Sequence, residues 1–132
     1  MAASMHVEVV SAEKQLLSAE ITGLYARSVE GEIGILPGHQ PALIALDIAP
    51  IVVHLEDGGE ERIAVHNGFL YVDRDKVIVL ADIAELASQI DVERAQRRRQ
   101  QLEGRTETAE HDAAVQASLR KQQLRLDLAG RG

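Results

Sequence analysis

The sequence predicts an all-β N-terminal sandwich of about nine to ten short antiparallel strands, followed by a C-terminal antiparallel two-helix hairpin. Before residue 88, apolar and polar residues alternate, and turn residues recur at a spacing of roughly 8–12 residues. All three prolines and all three aromatic residues lie within the first 90 residues, whereas the remainder is rich in the helix formers Ala, Leu, Gln, Glu and Arg. We therefore expect two domains, a β-sandwich over residues 1–87 and a helical hairpin over residues 88–132.

The charge of the chain is divided between these two parts. The 132 residues carry a formal net charge of −7, with 14 acidic and 5 basic residues up to position 90 but 7 acidic and 9 basic residues after it. An acidic protein with only three aromatic residues repels phosphate and offers few rings for stacking, so we expect no nucleic-acid partner. The absence of cysteine from the sequence excludes disulfides and thiolate chemistry.

The most apolar stretch of the sequence covers residues 41–55. Asp47, Pro50 and His54 interrupt it, and a membrane-spanning helix takes about 20 apolar residues. We therefore expect membrane contact to be indirect, through a partner.

Each predicted strand rests on a local pattern. Met5, Val7 and Val9 alternate with more polar residues, which is typical of a half-buried strand. The glycines among residues 31–38 indicate tight turns around another short strand. The other predicted strands cover residues 16–17, 21–26, 42–46, 48–55, 62–66, 69–72 and 77–80.

The register of one hairpin can be predicted from its apolar pattern. A three-residue loop over residues 57–59 pairs Val53 with Ile63 and Ile51 with Val65 on one face, with a glycine in the left-handed position. This register places His54 opposite Arg62. A second turn signal, residues 67–68, is expected to separate the strands 62–66 and 69–72.

The tail carries the signals of two helices. Asp91 is a plausible N-cap for a helix over residues 92–103, and Gly104 supplies its stop. Thr106 or Thr108 caps a second helix that ends at Gly130. Its apolar stripe comprises Val115, Leu119 and Leu126, with Leu124 and Leu128 alongside.

The first helix is too polar to be stable alone. Val92 and Leu102 are its only apolar residues besides alanine, and short helices are marginal in water without packing. The hairpin must therefore dock against the β-domain or against a partner, which suggests a movable tail.

No catalytic constellation is evident in the sequence. We expect the five histidines, His6, His39, His54, His66 and His111, to be exposed or in turns, with His66 near Pro50, and so to form no metal site. The glycine-rich residues 31–38 lack the lysine of a phosphate-binding loop, and no serine nucleophile motif is present. The basic run Arg97, Arg98 and Arg99 is either a solvated helix face or a docking face for an acidic protein surface.

Four blocks of sequence resemble a known family. Residues 9–13 (VVSAE), 31–39 (GEIGILPGH), 68–70 (GFL) and 80–82 (LAD) occur in this order, and the second block is the most specific. Together they resemble the epsilon subunit of bacterial F-type ATP synthases, and the resemblance covers nearly the whole chain. It implies a sandwich with a helical hairpin and a non-catalytic rotor subunit that couples proton flow to rotation.

The resemblance also implies partners and a location. In this family the sandwich binds the gamma subunit and rests on the ring of c subunits, at the cytoplasmic face of the bacterial cell membrane. The matching rotor-interface residues are Glu32, Gly34, Pro37, Gly38 and His39. A purely structural turn is the alternative interpretation of this segment, with Glu32 and His39 the better interface candidates.

The tail is the regulatory part of the resemblance. In the family it lies folded on the sandwich or extends toward the alpha and beta subunits of the catalytic head, where it blocks ATP hydrolysis. The residues expected to make these inhibitory contacts are Arg97, Arg98, Arg99 and Arg120.

Residues 90–95 (IDVERA) match the family's ATP-binding pattern. The resemblance implies a nucleotide site, with ATP as a regulatory ligand rather than a required cofactor, at Glu85, Ile90, Asp91, Arg94, Ala95, Lys121 and Arg125. The alternative is that Asp91 acts only as a helix cap. A different interpretation of the whole chain is a free adaptor that presents a basic hairpin to an unrelated acidic partner.

Overall fold

A computed structural model describes residues 3–104 and 113–131 of the chain. The expected caps Thr106 and Thr108, and also His111, lie outside the described residues. Within them the structure has seven β-strands, a 3-10 turn (Ala87–Gln89) and two α-helices. The elements are β1 (Met5–Ser11), β2 (Gln15–Ser28), β3 (Gly31–Ile35), β4 (His39–Leu46), β5 (Ala49–Leu55), β6 (Glu60–Arg74), β7 (Lys76–Leu86), α1 (Val92–Glu103) and α2 (Ala113–Arg131).

The predicted β-sandwich and two-helix tail are confirmed, but the predicted number of strands is wrong. Residues 16–17 and 21–26 belong to one strand, β2, and residues 62–66 and 69–72 belong to one strand, β6. Both long strands change pairing partners along their length, which local patterns do not reveal. The strands are also not all antiparallel, because β1 pairs with β7 in parallel.

Strand β6 connects the two layers of the sandwich. Its first half, up to Val65, pairs with β5, and its second half, from Gly68 onward, pairs with β4. Between them Asn67 and Gly68 have φ values of 63° and 144°. The predicted turn at these residues is therefore a bend inside a continuous strand, of the kind by which strands pass from one sheet to the other.

The bend changes which residues face the core. Ile63 and Val65 point inward before it, and Leu70 and Val72 point inward after it. They join a core built mainly of aliphatic side chains from all seven strands. Its most fully buried members are Met5, Val7, Val9, Ile21, Leu24, Ile35, Ile51, Val53, Ile63, Val65, Leu70, Val72, Val77 and Val79.

The predicted register of the β5–β6 hairpin is wrong by two residues. Ile51 lies opposite Ile63, and Val53 lies opposite Glu61. The loop has the predicted length of three residues but covers residues 56–58, closed by Leu55 N–H donating to Gly59 O at 2.8 Å, with Gly58 at φ 97°. Because an even shift preserves the alternation of faces, the buried residues are still those predicted.

Helix α1 has the predicted bounds. The Asp91 side chain accepts a hydrogen bond from the Arg94 backbone N–H at 3.0 Å, which caps the helix. Gly104 ends it with φ −64°, so this stop uses no left-handed conformation. The buried side chains of α1 are Ala95 and Leu102.

Helix α2 docks the tail onto the outer face of the sandwich. Leu124 and Leu128 are buried against Ile48 and Ala64, while α1 packs against α2. The predicted stripe of Val115, Leu119 and Leu126 is only partly buried. The apolar contact between tail and sandwich is therefore small compared with the core of the sandwich.

We predict that Gly68→Ala destabilises the protein more than Gly38→Ala. Both glycines have positive φ, and this backbone conformation costs another residue about 1–3 kcal/mol. A Cβ at Gly68 would also clash with the backbone of Leu80 and Ala81, whereas one at Gly38 meets nothing within 4 Å. Chemical denaturation monitored by circular dichroism measures the free energies of unfolding, and equal losses would contradict this account of the bend.

Candidate functional site

A cleft of about 510 Å³ lies where the end of β7, the 3-10 turn and both helices meet. This volume is within the range of roughly 300–1,000 Å³ that is typical of small-molecule sites. Most of its lining side chains are charged or carry amides. They are Glu85, Gln89, Asp91, Arg94, Ala95, Arg97, Arg98, Gln101, Gln122 and Arg125.

Local structure determines how these side chains reach the cleft. Glu85 lies near the end of β7, opposite Ala64 of β6, and so shares the outer face that the tail covers. Asp91 enters the cleft as the N-cap of α1, and Arg94, Arg97 and Arg98 follow on the first turns of that helix. Gln122 and Arg125 lie three residues apart on α2, which places them on one side of the helix.

Glu85 is the most strongly perturbed group of the cleft. Its Oε1 atom accepts hydrogen bonds from Arg125 Nε at 2.6 Å and from His66 Nε2 at 3.1 Å. Burial raises the pKa of Glu85, but the hydrogen bonds from His66 and Arg125 and the charge of Arg125 outweigh burial and hold the pKa at about 2. Glu85 is therefore ionised near neutral pH and joins β6, β7 and α2.

A second ion pair ties α2 to the sandwich. Arg120 donates from its terminal nitrogen to Asp47 Oδ1 at 2.7 Å, next to the buried Ile48. Burial raises the pKa of Asp47, but the Ile48 backbone N–H and Arg120 lower it by more. Both links run from an acidic side chain of the sandwich to an arginine of the tail.

The electrostatics of the cleft favour an anion. The two cleft carboxylates are already engaged, Glu85 by Arg125 and His66, and Asp91 by the capping N–H of Arg94. The guanidinium groups of Arg94, Arg97 and Arg98 add positive charge to the wall formed by α1. Guanidinium groups match phosphate and carboxylate oxygens in geometry and charge.

Five of the seven residues predicted for nucleotide line this cleft: Glu85, Asp91, Arg94, Ala95 and Arg125. Ile90 instead packs beneath α2 with the small apolar cluster, and Lys121 is not among the lining residues. Three glutamines, Gln89, Gln101 and Gln122, also line the cleft and were not predicted from the sequence. Arg97 and Arg98 line it as well, although they were predicted to make inhibitory contacts.

The expectation that all histidines are exposed or in turns is wrong for His66. Its side chain is 0% exposed, and it lies on β6 opposite Ile83. Pro50 lies opposite Ala64 rather than beside His66, and His54 lies opposite Glu60 rather than Arg62. The alternation of side-chain directions along β6 could have indicated this position, because it places His66 on the same outer face as Ala64. Within the described residues, no group of three or more His, Cys, Asp or Glu side chains is arranged to hold a metal.

The predicted rotor-interface residues surround β3 and the turn after it. Glu32 is exposed and pairs with Arg27 at 3.4 Å. Gly34 has a structural role, because a Cβ there would lie 3.0 Å from the ring of Tyr25. Gly38 follows Pro37 with φ 87°, and His39 Nδ1 donates to Gln40 O at 2.7 Å.

An exposed apolar face on β4, β6 and β7 was not predicted. Leu43 lies opposite Tyr71, and Phe69 lies opposite Leu80, so the four side chains form adjacent cross-strand pairs. Their exposed fractions are 68%, 42%, 52% and 53% respectively. A contiguous apolar surface of this kind is typical of a protein–protein interface.

We predict that acid releases α2 from the sandwich in a pH range set by Glu85. Its pKa is about 2 in the docked state and 4.5 ordinarily, so its contribution is present above pH 4.5 and is lost as the pH falls toward 2. Glu85→Gln should weaken docking at neutral pH and reduce this acid response. Amide NMR shifts of α2 between pH 7 and pH 2 measure docking, with the exposed Glu13→Gln as control. An unchanged acid response in Glu85→Gln would show that Glu85 does not hold the tail.

The chain is similar to proteins of one family throughout its length. A model of the β-sandwich domain of the ATP synthase delta/epsilon chain matches residues 4–87. The ATP synthase epsilon chain of Streptomyces griseus is 48% identical over 97 residues, which are 74% of this chain and 78% of the relative. That of Moorella thermoacetica is 36% identical over 131 residues, 97% of this chain and 98% of the relative.

Solved structures show the same fold at low sequence identity. A chain in the Euglena gracilis mitochondrial ATP synthase, in a structure of OSCP, F1 and c-ring, matches with a TM-score of 0.79 and 18% identity. The match covers 98% of this chain and 82% of that chain. The match of the sandwich to the family model and the similarity to these named relatives show that this chain belongs to the ATP synthase delta/epsilon chain family.

Proposed function

We propose that this chain is the epsilon-type rotor subunit in the central stalk of a proton-translocating ATP synthase, where it couples proton flow to rotation without catalysing a reaction itself. The observation that carries this proposal is the similarity over almost the full length to the Moorella thermoacetica epsilon chain. It favours the rotor function over a free adaptor, because both the sandwich and the tail are included in the match.

The exposed apolar face of Leu43, Phe69, Tyr71 and Leu80 is the surface we assign to the gamma subunit. It is apolar, contiguous and formed by three paired strands, and the buried core of an interface is more apolar than the rest of a protein surface. Glu32 and His39, together with the turn through Gly34, Pro37 and Gly38, are then available for the c-ring. The subunit would sit peripherally at the cytoplasmic face of the cell membrane, held there by its partners. No described helix is both long and apolar enough to cross a bilayer.

The tail is the regulatory element of the proposed function. Its small apolar contact with the sandwich and its two ion pairs suit a docked state that is only a few kcal/mol more stable than a released one. In the released state the tail would extend toward the alpha and beta subunits and inhibit ATP hydrolysis. Arg97, Arg98, Arg99 and Arg120 would then face acidic surfaces of the catalytic head.

The cationic cleft is the site we propose for regulatory ATP. Arg94 from α1 and Arg125 from α2 lie on different helices, so a ligand that engages both would hold the hairpin closed. A ligand that binds only the docked tail stabilises that state by mass action. ATP would therefore oppose the inhibitory form.

We predict that removal of residues 91–132 raises ATP hydrolysis by the assembled complex several-fold and leaves assembly intact. The sandwich, which holds the gamma and c-ring surfaces, is unchanged by the truncation. The matched point variant replaces Arg97, Arg98 and Arg99 by alanine in the full chain and should raise hydrolysis partially. Steady-state hydrolysis by the purified complex is the measurement. Unchanged hydrolysis in an intact complex would contradict the inhibitory role, and loss of assembly would contradict the separation of the two surfaces.

We predict that the isolated full chain binds ATP and that Arg94→Ala weakens this binding by about 10- to 100-fold. This range corresponds to the loss of a charged hydrogen bond of about 1.5–3 kcal/mol. Arg99→Ala is the control, because it removes the same charge from α1 outside the cleft. Isothermal titration calorimetry measures both dissociation constants. No heat of ATP binding to the intact chain, or equal losses in the two variants, would exclude the proposed site.

A further inference from the structure

A contact between β6 and β7 fixes the carboxylate at the base of the cleft. His66 lies opposite Ile83, and Glu85 lies opposite Ala64. Because residues two apart on a strand share a face, the side chains of His66 and Glu85 are diagonal neighbours on the outer face of the sheet. The Nε2 atom of His66 lies 3.1 Å from Oε1 of Glu85. The place of this carboxylate is therefore determined by the sandwich as well as by the tail.

His66 acts in this contact as a donor in either protonation state of its ring. Glu85 is ionised near neutral pH and its carboxylate only accepts hydrogen bonds, so Nε2 carries the hydrogen. The imidazole is fully buried, and the described residues give its other nitrogen, Nδ1, no hydrogen-bond partner. Exchange of the Nε2 donor therefore tests a single hydrogen bond to the described part of the chain.

Glu85 transmits this constraint to the guanidinium group of Arg125. The same Oε1 atom accepts from Arg125 Nε at 2.6 Å. Arg125 Nη1 donates to Oε1 of Gln122 at 3.1 Å, and Gln122 is itself buried. Within the described part of the chain these bonds hold the guanidinium at Nε and Nη1, which leaves Nη2 for an anion in the cleft.

His66 itself is not part of the cleft wall. Glu85, Gln122 and Arg125 line the cleft, whereas His66 lies behind Glu85. An arginine side chain has many rotamers, and a ligand that must order it loses binding free energy. A guanidinium held in place before the ligand arrives avoids part of this loss, provided that its own partners are fixed.

We propose that His66 is a positioning residue of the cleft, which fixes Glu85 and through it Arg125 for an anionic ligand that His66 does not touch. This inference rests on the proposed function, because it deepens the ATP site proposed above. It gives a strand of the sandwich a part in ligand binding, in addition to the arginines of the tail. The alternative is that His66 only fills space beneath Glu85.

A matched pair of substitutions separates positioning from packing. Gln and Met have similar lengths and volumes, but only the amide of Gln can donate to Glu85 from near the place of Nε2. Isothermal titration calorimetry of the full chain with ATP measures the dissociation constants. His66→Met should weaken binding about tenfold, the lower end of the range found for partners that orient metal ligands, and His66→Gln should bind nearly as tightly as the unmodified chain.

Equal losses of ATP affinity in His66→Gln and His66→Met would overturn the proposal, because they would show that His66 only packs. His54 is exposed on β5 outside the cleft, so His54→Gln and His54→Met are the control pair and should bind ATP equally. A difference within this control pair as large as that at His66 would also overturn the proposal. If His66→Met fails to fold, as judged by circular dichroism, His66→Leu replaces it.

A second measurement needs no nucleotide. The Nε–H group of Arg125 gives a signal in nitrogen–proton NMR spectra of the full chain, assigned by its loss in Arg125→Lys. This signal should exchange slowly with water in the unmodified chain and in His66→Gln, and should exchange faster or disappear in His66→Met. An unchanged signal in His66→Met would overturn the proposal. Absence of ATP binding to the unmodified chain would instead contradict the proposed nucleotide site, and the Arg125 signal would still decide whether His66 positions this side chain.

Discussion

One carboxylate oxygen, Oε1 of Glu85, is the point where sandwich, tail and cleft meet. It accepts from His66 on the sandwich and from Arg125 on the tail, and the same side chain lines the cationic cleft. An ion pair that is partly buried is sensitive to the loss of either partner, because the remaining charge is left poorly solvated. The position of the tail, the shape of the cleft and the environment of His66 therefore all depend on this contact.

The sandwich and the tail differ in how they are stabilised. The sandwich has an aliphatic core to which every strand contributes, so it is suited to be a rigid assembly module. The tail has a small apolar contact with the sheet, supplemented by arginines paired with carboxylates of the sandwich. The opposite charges of the two parts thus contribute to docking through these ion pairs. Protonation of a carboxylate or binding of an anion to an arginine can weaken such an attraction.

Features encoded by neighbouring residues were predicted accurately. Asp91 and Gly104 define the ends of α1, because capping involves residues within one turn. The buried faces of β5 and β6 follow from alternation, but the pairing of Ile51 with Ile63 depends on where the loop closes, and the prediction missed it by two residues. Likewise, the bend at Asn67 and Gly68 looks like a turn in sequence, and only the pairing of β6 with β4, β5 and β7 shows that the strand continues.

The sequence by itself determined the two-part architecture, the capped first helix and the family resemblance, because these depend on local patterns and composition. It also indicated five of the residues that line the cleft, through the motif at residues 90–95 and the acidic and basic residues matched to it. Only the tertiary structure decided that His66 is buried, that Arg125 and Glu85 meet across 40 positions, and that the glutamines complete the cleft. These contacts join residues far apart in the chain, and their energies depend on burial and distance, which arise only when the tail packs on the sheet.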